Sequence, residues 1–277
     1  MKRRTKLIFV GIALAVLLWL WIDYGNQNIG LTTYEVKVSG LPGAFGELRI
    51  VQLSDLHNIT FRDDNIRLIS VISQAEPDMI FITGDMLDSR KTDTQAALNV
   101  AENAVSIAPV YYVTGNHEAR IAEYAEFENS LEALGVTVLR NTSVQLERDG
   151  DILNIAGVDD PSFLDADGGE KAMDMILKRL GPNGCTLLLS HRPELFETYV
   201  KYNIPLTFSG HAHGGQMRLP LIGGIYAPHG GFFPEYDGGL YRQDSSAMIV
   251  SRGIGNSVFP FRVNNDPEVV LVVLKCE

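Results

Sequence analysis

The chain has 277 residues, 45% of them hydrophobic, with 34 acidic against 23 basic side chains and a formal net charge of −11 at pH 7. That length and apolar content supply one large buried core and exclude a low-complexity chain, while two cysteines exclude a disulfide scaffold or a cysteine-held metal. An acidic body repels polyanions over long range, so no nucleic acid is expected as a partner.

The first residues differ in kind from the rest. Lys2, Arg3, Arg4 and Lys6 precede an uncharged apolar run at 7–22 that contains Trp19 and Trp21, with Tyr24 following Asp23. The run predicts a helix about 24 Å long, slightly short of a hydrocarbon core of about 30 Å. Snorkelling by Lys6 and an aromatic belt at the other end close that gap. A cleavable signal is the competing reading. Against it, Trp21-Ile22-Asp23-Tyr24 stands where a small-x-small cleavage site would be, and Lys6 falls where a twin-arginine signal turns apolar.

The expectation is an uncleaved single-pass anchor with its basic flank over 1–24, a polar tether over 25–32 and a globular domain over 33–277. The flank places the N-terminus in the cytoplasm and the globular domain on the outer side of the cell membrane. Without Lys2, Arg3, Arg4 and Lys6 the 23 basic residues fall to 19 against 34 acidic, a net of −15.

Beyond the tether, short apolar or alternating runs at 48–53, 79–83, 110–113, 186–189 and 206–208 predict strands, since turn residues bound each one. Helical periodicity falls at 65–75, 94–106, 122–134, 171–180 and 194–202. Runs at 144–147 and 152–156 flank Arg148-Asp149-Gly150-Asp151, a hairpin signal, and late strands are expected at 247–251 and 269–274. Strands alternating with helices early and hairpins late give an α/β fold of two packed mixed β-sheets flanked by helices. The stretch 220–241 is rich in Gly, Pro and aromatics, and reads either as an ordinary packed loop or as an apolar wall.

Each of the five early strands ends at a polar cluster. In order these are Asp55-Leu56-His57, Gly84-Asp85, Gly115-Asn116-His117-Glu118, His191 and Gly210-His211-Ala212-His213. Loops from the carboxyl ends of strands converge in such sheets, so five strand ends point to one site. Hard oxygen donors mixed with imidazoles suit Mn, Fe or Zn, and two divalent metal ions side by side make hydroxide at neutral pH and neutralise a phosphoryl group. Glu118 is expected to hold its loop by hydrogen bonding. His229 lies outside the clusters and reads as an ordinary surface or core histidine.

The order and spacing of these clusters resemble the calcineurin-like metallophosphoesterases over about 48–216. The resemblance implies that family's two-sheet sandwich, preceded here by one transmembrane helix. It further implies that Asp55, His57 and His213 hold one metal, that Asn116, His191 and His211 hold the other, and that Asp85 bridges them through its two oxygens. His117 is implied as the general acid, with Asp88 beside it as an orienting carboxylate that keeps the imidazole charged. Where some members carry an arginine after that Asp, Ser89 stands here and Arg90 comes one later.

The residues at 210–216 and 220–241 are similar to a bacterial membrane-associated branch that includes UDP-diacylglucosamine pyrophosphohydrolases. The implied activity is hydrolysis of a phosphodiester or lipid pyrophosphate by a metal-bound hydroxide, in a monomer. The alternative is a non-catalytic, metal-stabilised binding scaffold of the same fold.

Overall fold

The computed structural model describes residues 3–164, 169–180, 184–228, 230–256 and 259–277, so His229 lies outside the described residues. The chain opens with α1, Arg3–Gln27, and passes through only Asn28 and Ile29 into strand β1, Gly30–Val38. The stretch expected as a tether is therefore taken up by the last turn of α1 and the start of β1. From Lys6 to Gln27, α1 is long and apolar enough to cross a membrane, and none of its most apolar window is buried in the protein. Apolar residues cover every face of it, and Leu7, Ile8, Phe9, Leu14, Leu17 and Trp19 are all exposed.

Strands β2 (Arg49–Leu53), β3 (Met79–Thr83), β4 (Val110–Val113) and β5 (Thr137–Val138) run parallel, joined by α2 (Ile66–Gln74), α3 (Thr94–Val105) and α4 (Tyr124–Ala133). The C-terminal strand β16, Glu268–Cys276, pairs antiparallel with β2, and β1 closes that edge, giving the order β1-β16-β2-β3-β4-β5. β1 was not anticipated, although its burial alternates along the strand.

The second sheet has the order β14-β15-β9-β8-β7-β6. It is built from β6 (Thr142–Arg148), β7 (Asp151–Gly157), β8 (Thr186–Leu189), β9 (Leu206–Ser209), β14 (Gly239–Gln243) and β15 (Ser246–Val250). Its four central strands are parallel, while β6 and β14 pair antiparallel at the edges. Between β9 and β14 lie two miniature hairpins, β10 (Arg218–Leu219) with β11 (Gly223–Gly224), and β12 (Tyr226–Ala227) with β13 (Gly231–Phe232).

Alternation of side chains assigns each residue to a layer. In β3, Met79 and Phe81 face the second sheet, where Phe81 meets Phe208 edge-on at 4.9 Å, whereas Ile80 and Ile82 pack under the helices. In α3, Ala97, Val100, Ala101 and Ala104 let the helix sit close to that outer face, and Asp93 caps it by accepting from Ala96 N–H at 3.2 Å. On the far side, α5 (Gly169–Leu180) and α6 (Phe196–Lys201) cover the second sheet through Met173, Leu177, Phe196 and Tyr199. The helix expected at 194–202 begins later than its periodicity suggests, because a 3-10 turn at Pro193–Leu195 precedes α6.

The carboxyl ends of β2, β3 and β4 open at the same edge of the sandwich as those of β8 and β9. Gln52 ties the two layers there, its amide donating to Thr83 Oγ1 at 2.9 Å and to the Ser209 carbonyl at 2.8 Å.

Candidate metal centre

Every residue singled out in the five clusters converges at this edge, and Asp55, His57, Asp85, Asn116, His117, His191, His211 and His213 are all buried. The approach is tight enough to explain the glycines that precede them. A Cβ on Gly115 would collide with the Asp85 carboxylate, and one on Gly210 with Ser54 and Asp55. Asp55, His57, Asp85, His211 and His213 all have φ between 47° and 68°. Residues other than Gly enter the left-handed region uncommonly, Asn, Asp and His more readily than the rest, and five of them at one edge mark a constrained site.

Two groups of donors form, and a third, His57 with Asp85 and His117, shares a member with each. In one, His57 Nε2 and His213 Nε2 face each other at 3.1 Å, and Asp55 Oδ1 is 3.3 Å from His213 Nε2. In the other, His191 Nε2 is 3.2 Å from His211 Nδ1 and 3.3 Å from Asp85 Oδ2. Asp85 Oδ2 also lies 3.8 Å from His57 Nε2, so one oxygen faces both groups. Its Oδ1 accepts the His117 N–H at 2.8 Å. The two oxygens of Asp85 are thus inequivalent, Oδ1 accepting a backbone N–H and Oδ2 facing the imidazoles.

These spacings fit cations. Ligands bound at about 2.0–2.2 Å stand about 3–3.5 Å from one another around a metal, which is the spacing of the inner donors. Asn116 Oδ1 is buried with no hydrogen-bond partner, a costly state for an amide unless an ion takes the lone pair. His191 Nδ1 lies 2.7 Å from the Thr83 carbonyl, which holds the proton on Nδ1 and turns the Nε2 lone pair inward.

Electrostatics point the same way. Burial pushes His57 down to about 3 and His213 well below its ordinary value, so both are neutral bases suited to ligation. Burial also disfavours charge at His191 and Asp85, yet each stabilises the other's ion: His191 rises to about 10 and Asp85 falls well below the carboxylate range. A proton is held where a cation would supply the positive charge.

His117 stands at the rim of the cage, its ring edge-on to His57 at 4.6 Å. Its Nδ1 accepts the Ser89 N–H at 3.0 Å, with Ser89 Oγ at 3.2 Å and Asp88 Oδ1 at 3.5 Å. The direct partner of Nδ1 is therefore the Ser89 backbone. Asp88 sits just behind it with both oxygens taken by Arg90, at 2.9 and 2.6 Å. Burial lowers the His117 pKa, and the Asp85 and Asp88 carboxylates oppose that only in part.

Glu118 does hold the loops. Fully buried, it accepts from the backbone N–H groups of Asp85 (3.0 Å), Leu87 (3.0 Å) and Gly115 (2.8 Å), locking the loop after β3 to the loop after β4.

Two arginines escaped the sequence reading. Arg192, one residue after His191, is bidentate to the buried Asp160 at 2.5 and 3.0 Å, and its Nη1 lies 3.2 Å from His211 Nε2. Arg262 is wholly enclosed beside His213, with Nη2 3.4 Å from Nδ1, and donates through Nε to the Gly255 carbonyl at 3.1 Å. Neither belongs to a short motif, and only the fold brings them in.

A two-layer sandwich with paired donor sets at the shared carboxyl edge defines a metal-dependent phosphoester hydrolase. The chain belongs to the calcineurin-like phosphoesterase family, matching it over residues 48–215. It is 31% identical over 252 residues to the uncharacterized metallophosphoesterase YkuE of Bacillus subtilis, covering 89% of this chain and 86% of that one. It is 30% identical over 265 residues to a bovine transmembrane protein with metallophosphoesterase domain, covering 90% of this chain. The chain spans only 58% of that bovine relative's length. Among solved structures, phosphopantetheinyl hydrolase from Mycobacterium tuberculosis aligns with a TM-score of 0.48 at 15% identity, covering 76% of this chain and 91% of that one.

Proposed function

We propose that this phosphoester hydrolase is membrane-anchored, works with two divalent cations (Mn, Fe or Zn), and cleaves a phosphodiester or pyrophosphate bond in a lipid-borne substrate. Asp55, His57 and His213 would hold one cation, Asn116, His191 and His211 the other, and Asp85 both. When bound, such a pair supplies Lewis-acid charge and a nucleophile at neutral pH. The observation that carries the reading is the single Asp85 oxygen facing imidazoles of both groups, 3.3 Å from His191 and 3.8 Å from His57.

His117 would deliver a proton to the departing oxygen from its charged form, which Asp85 and Asp88 favour against the effect of burial. The Ser89 N–H at Nδ1 leaves Nε2 as the nitrogen that presents the proton. Asp88 and Arg90 brace the turn that presents that N–H. Support for the membrane comes from α1 and from the bovine relative's transmembrane description. The basic flank favours a cytoplasmic N-terminus, with the catalytic domain on the outer side of the cell membrane. No assembly is required by this reading, since one chain carries every donor.

The test is hydrolysis of a model phosphodiester by protein with quantified metal. Asp85→Asn is expected to lower kcat/KM by at least about a hundredfold, because the oxygen that faces both groups is weakened for each. Equal rates in parent and variant would overturn the reading.

A further inference from the structure

Outside α1, the large apolar side chains left exposed among the described residues are unevenly spread. Eight of the twelve lie between Leu219 and Phe261. Leu221 is fully exposed, Phe232 is 74% exposed, and Ile222 and Phe233 are each 62% exposed. Isolated exposed leucines are ordinary, but a cluster confined to three loops of one surface marks an interaction face.

The loops are built into one another rather than trailing. Gln216 Nε2 donates to the carbonyls of Phe259 at 3.2 Å and Phe261 at 2.8 Å. Arg218 N–H donates to the Val263 carbonyl at 3.0 Å, and Phe233 N–H donates to Ile225 at 2.8 Å. The Asn265 amide closes the set by donating to the carbonyls of His213 at 2.7 Å and Gln216 at 3.2 Å. The backbone carrying the last metal-type histidine is thus continuous with the base of the apolar rim.

The same segment receives the end of α1. Asn26 makes a reciprocal pair with Arg262, its amide donating to the Arg262 carbonyl at 3.0 Å while Oδ1 accepts the Arg262 N–H at 2.8 Å. Asn28 donates to Asp266 at 3.0 Å, and Arg62 pairs with Asp23 at 2.6 Å. Trp21, Ile22 and Tyr24 line a cavity of about 420 Å³ together with Val263 and Asn264. Asn264 also lines the adjoining cleft of Leu219, Leu221 and Ile222. The aromatic end of α1, which would sit at headgroup level, therefore abuts the apolar loops.

From this continuity we propose that Leu221, Ile222, Phe232, Phe233, Phe259 and Phe261 form a second membrane contact, which enters the lipid leaflet from which α1 emerges. The inference rests on the reading of α1 as a membrane anchor. It adds that the domain lies down on the bilayer with the metal centre's last loop against the lipid surface. A lipid-borne phosphoester then reaches the site along the rim without leaving the leaflet.

The test uses the full chain in nanodiscs of phosphatidylcholine and phosphatidylglycerol. Cys185 is buried and Cys276 is exposed, so C276S gives a background in which I222C or D149C is labelled with the fluorophore NBD. Position 149 lies in the β6–β7 turn, at the opposite end of the strands from the site. Nitroxide-bearing lipid is expected to quench the label at 222 at least fivefold more than the label at 149. The two tryptophans, Trp19 and Trp21, both in α1, report separately on the anchor through quenching by brominated lipid. Quenched tryptophans with equal, weak quenching at 222 and 149 would overturn the rim contact while leaving the anchor intact. That result would also follow if a second copy or a protein partner covered the rim. Unquenched tryptophans would remove the anchor itself, and the rim contact with it.

Discussion

The two sheets contribute unequally to the site. The first, through the loops after β2, β3 and β4, supplies every oxygen donor (Asp55, Asp85, Asn116) together with His57 and His117. The second, through the loops after β8 and β9, supplies imidazoles alone: His191, His211 and His213. The carboxylates are concentrated on one layer, and imidazole nitrogens close the cage from the other. Neither layer holds a complete set, so the packing of sheet on sheet is itself part of the chemistry. This explains why Gln52 spans the gap next to the donors, where a purely apolar interface would otherwise leave the strand ends free to slide.

The comparison can be broken most forcefully by contrasting one histidine from each sheet. His117→Ala is expected to cut turnover about 10²- to 10⁴-fold on substrates with poor leaving groups while both metals stay bound. His191→Ala is expected to lose one of the two. Elemental analysis beside kinetics decides it, and loss of metal from the His117 variant would reassign that residue to the cage.

Smaller effects probe the scaffold. Glu118→Gln replaces a carboxylate that accepts three backbone N–H groups by an amide with one acceptor oxygen, leaving at least one buried donor unpaired. A loss of about 2–4 kcal/mol in unfolding free energy is expected, read by denaturant titration of the full chain in detergent. Gln52→Leu should cost less, about 1–3 kcal/mol, because the Ser209 carbonyl and the Thr83 hydroxyl each lose the N–H they accept. If the sheets are coupled as described, that variant also weakens metal binding although it touches no donor.

The smallest effect concerns pH. Burial raises the Asp160 pKa, but the bidentate Arg192 outweighs it and holds the carboxyl below its usual range. A depressed folded-state pKa means that the pair's stabilisation is fully present above the unfolded carboxylate value and is lost as pH falls through the folded one. Asp160→Asn is therefore expected to be less stable at neutral pH and to show a shallower decline in acid, measured as Tm against pH. An unchanged acid limb would show that the pair contributes nothing to it.

The site was legible in the sequence to an unusual degree because its donors sit directly after strands, and short apolar runs bounded by glycine are easy to see. What could not be seen was atomic allocation. That Asp85 spends Oδ1 on a backbone amide, or that Ser89 rather than Asp88 meets His117, depends on loop geometry that residue types do not encode. Arg192 and Arg262 were missed because a single arginine carries no periodicity and their partners, Asp160 and Gly255, are distant or backbone. In the fold, the buried strands were recognisable as continuous apolar runs. β1 escaped because an edge strand buries only part of one face, so its Thr-Thr-Tyr-Glu-Val-Lys-Val stretch looks half polar. The polar stretch at 25–32 read as a short tether by composition, yet Asn26 and Asn28 are engaged in holding the helix end in place.

That shortness at the junction has a mechanical meaning. An enzyme on a long leash sweeps a hemisphere and can meet solutes well above the surface. With Asn28 and Ile29 alone between helix and strand, and with Asn26 clasped to Arg262, this one has almost no swing radius. With α1 held in a bilayer, its search would be two-dimensional and its mouth would keep a constant height and tilt. Encounter would then scale with the surface density of substrate rather than with bulk concentration.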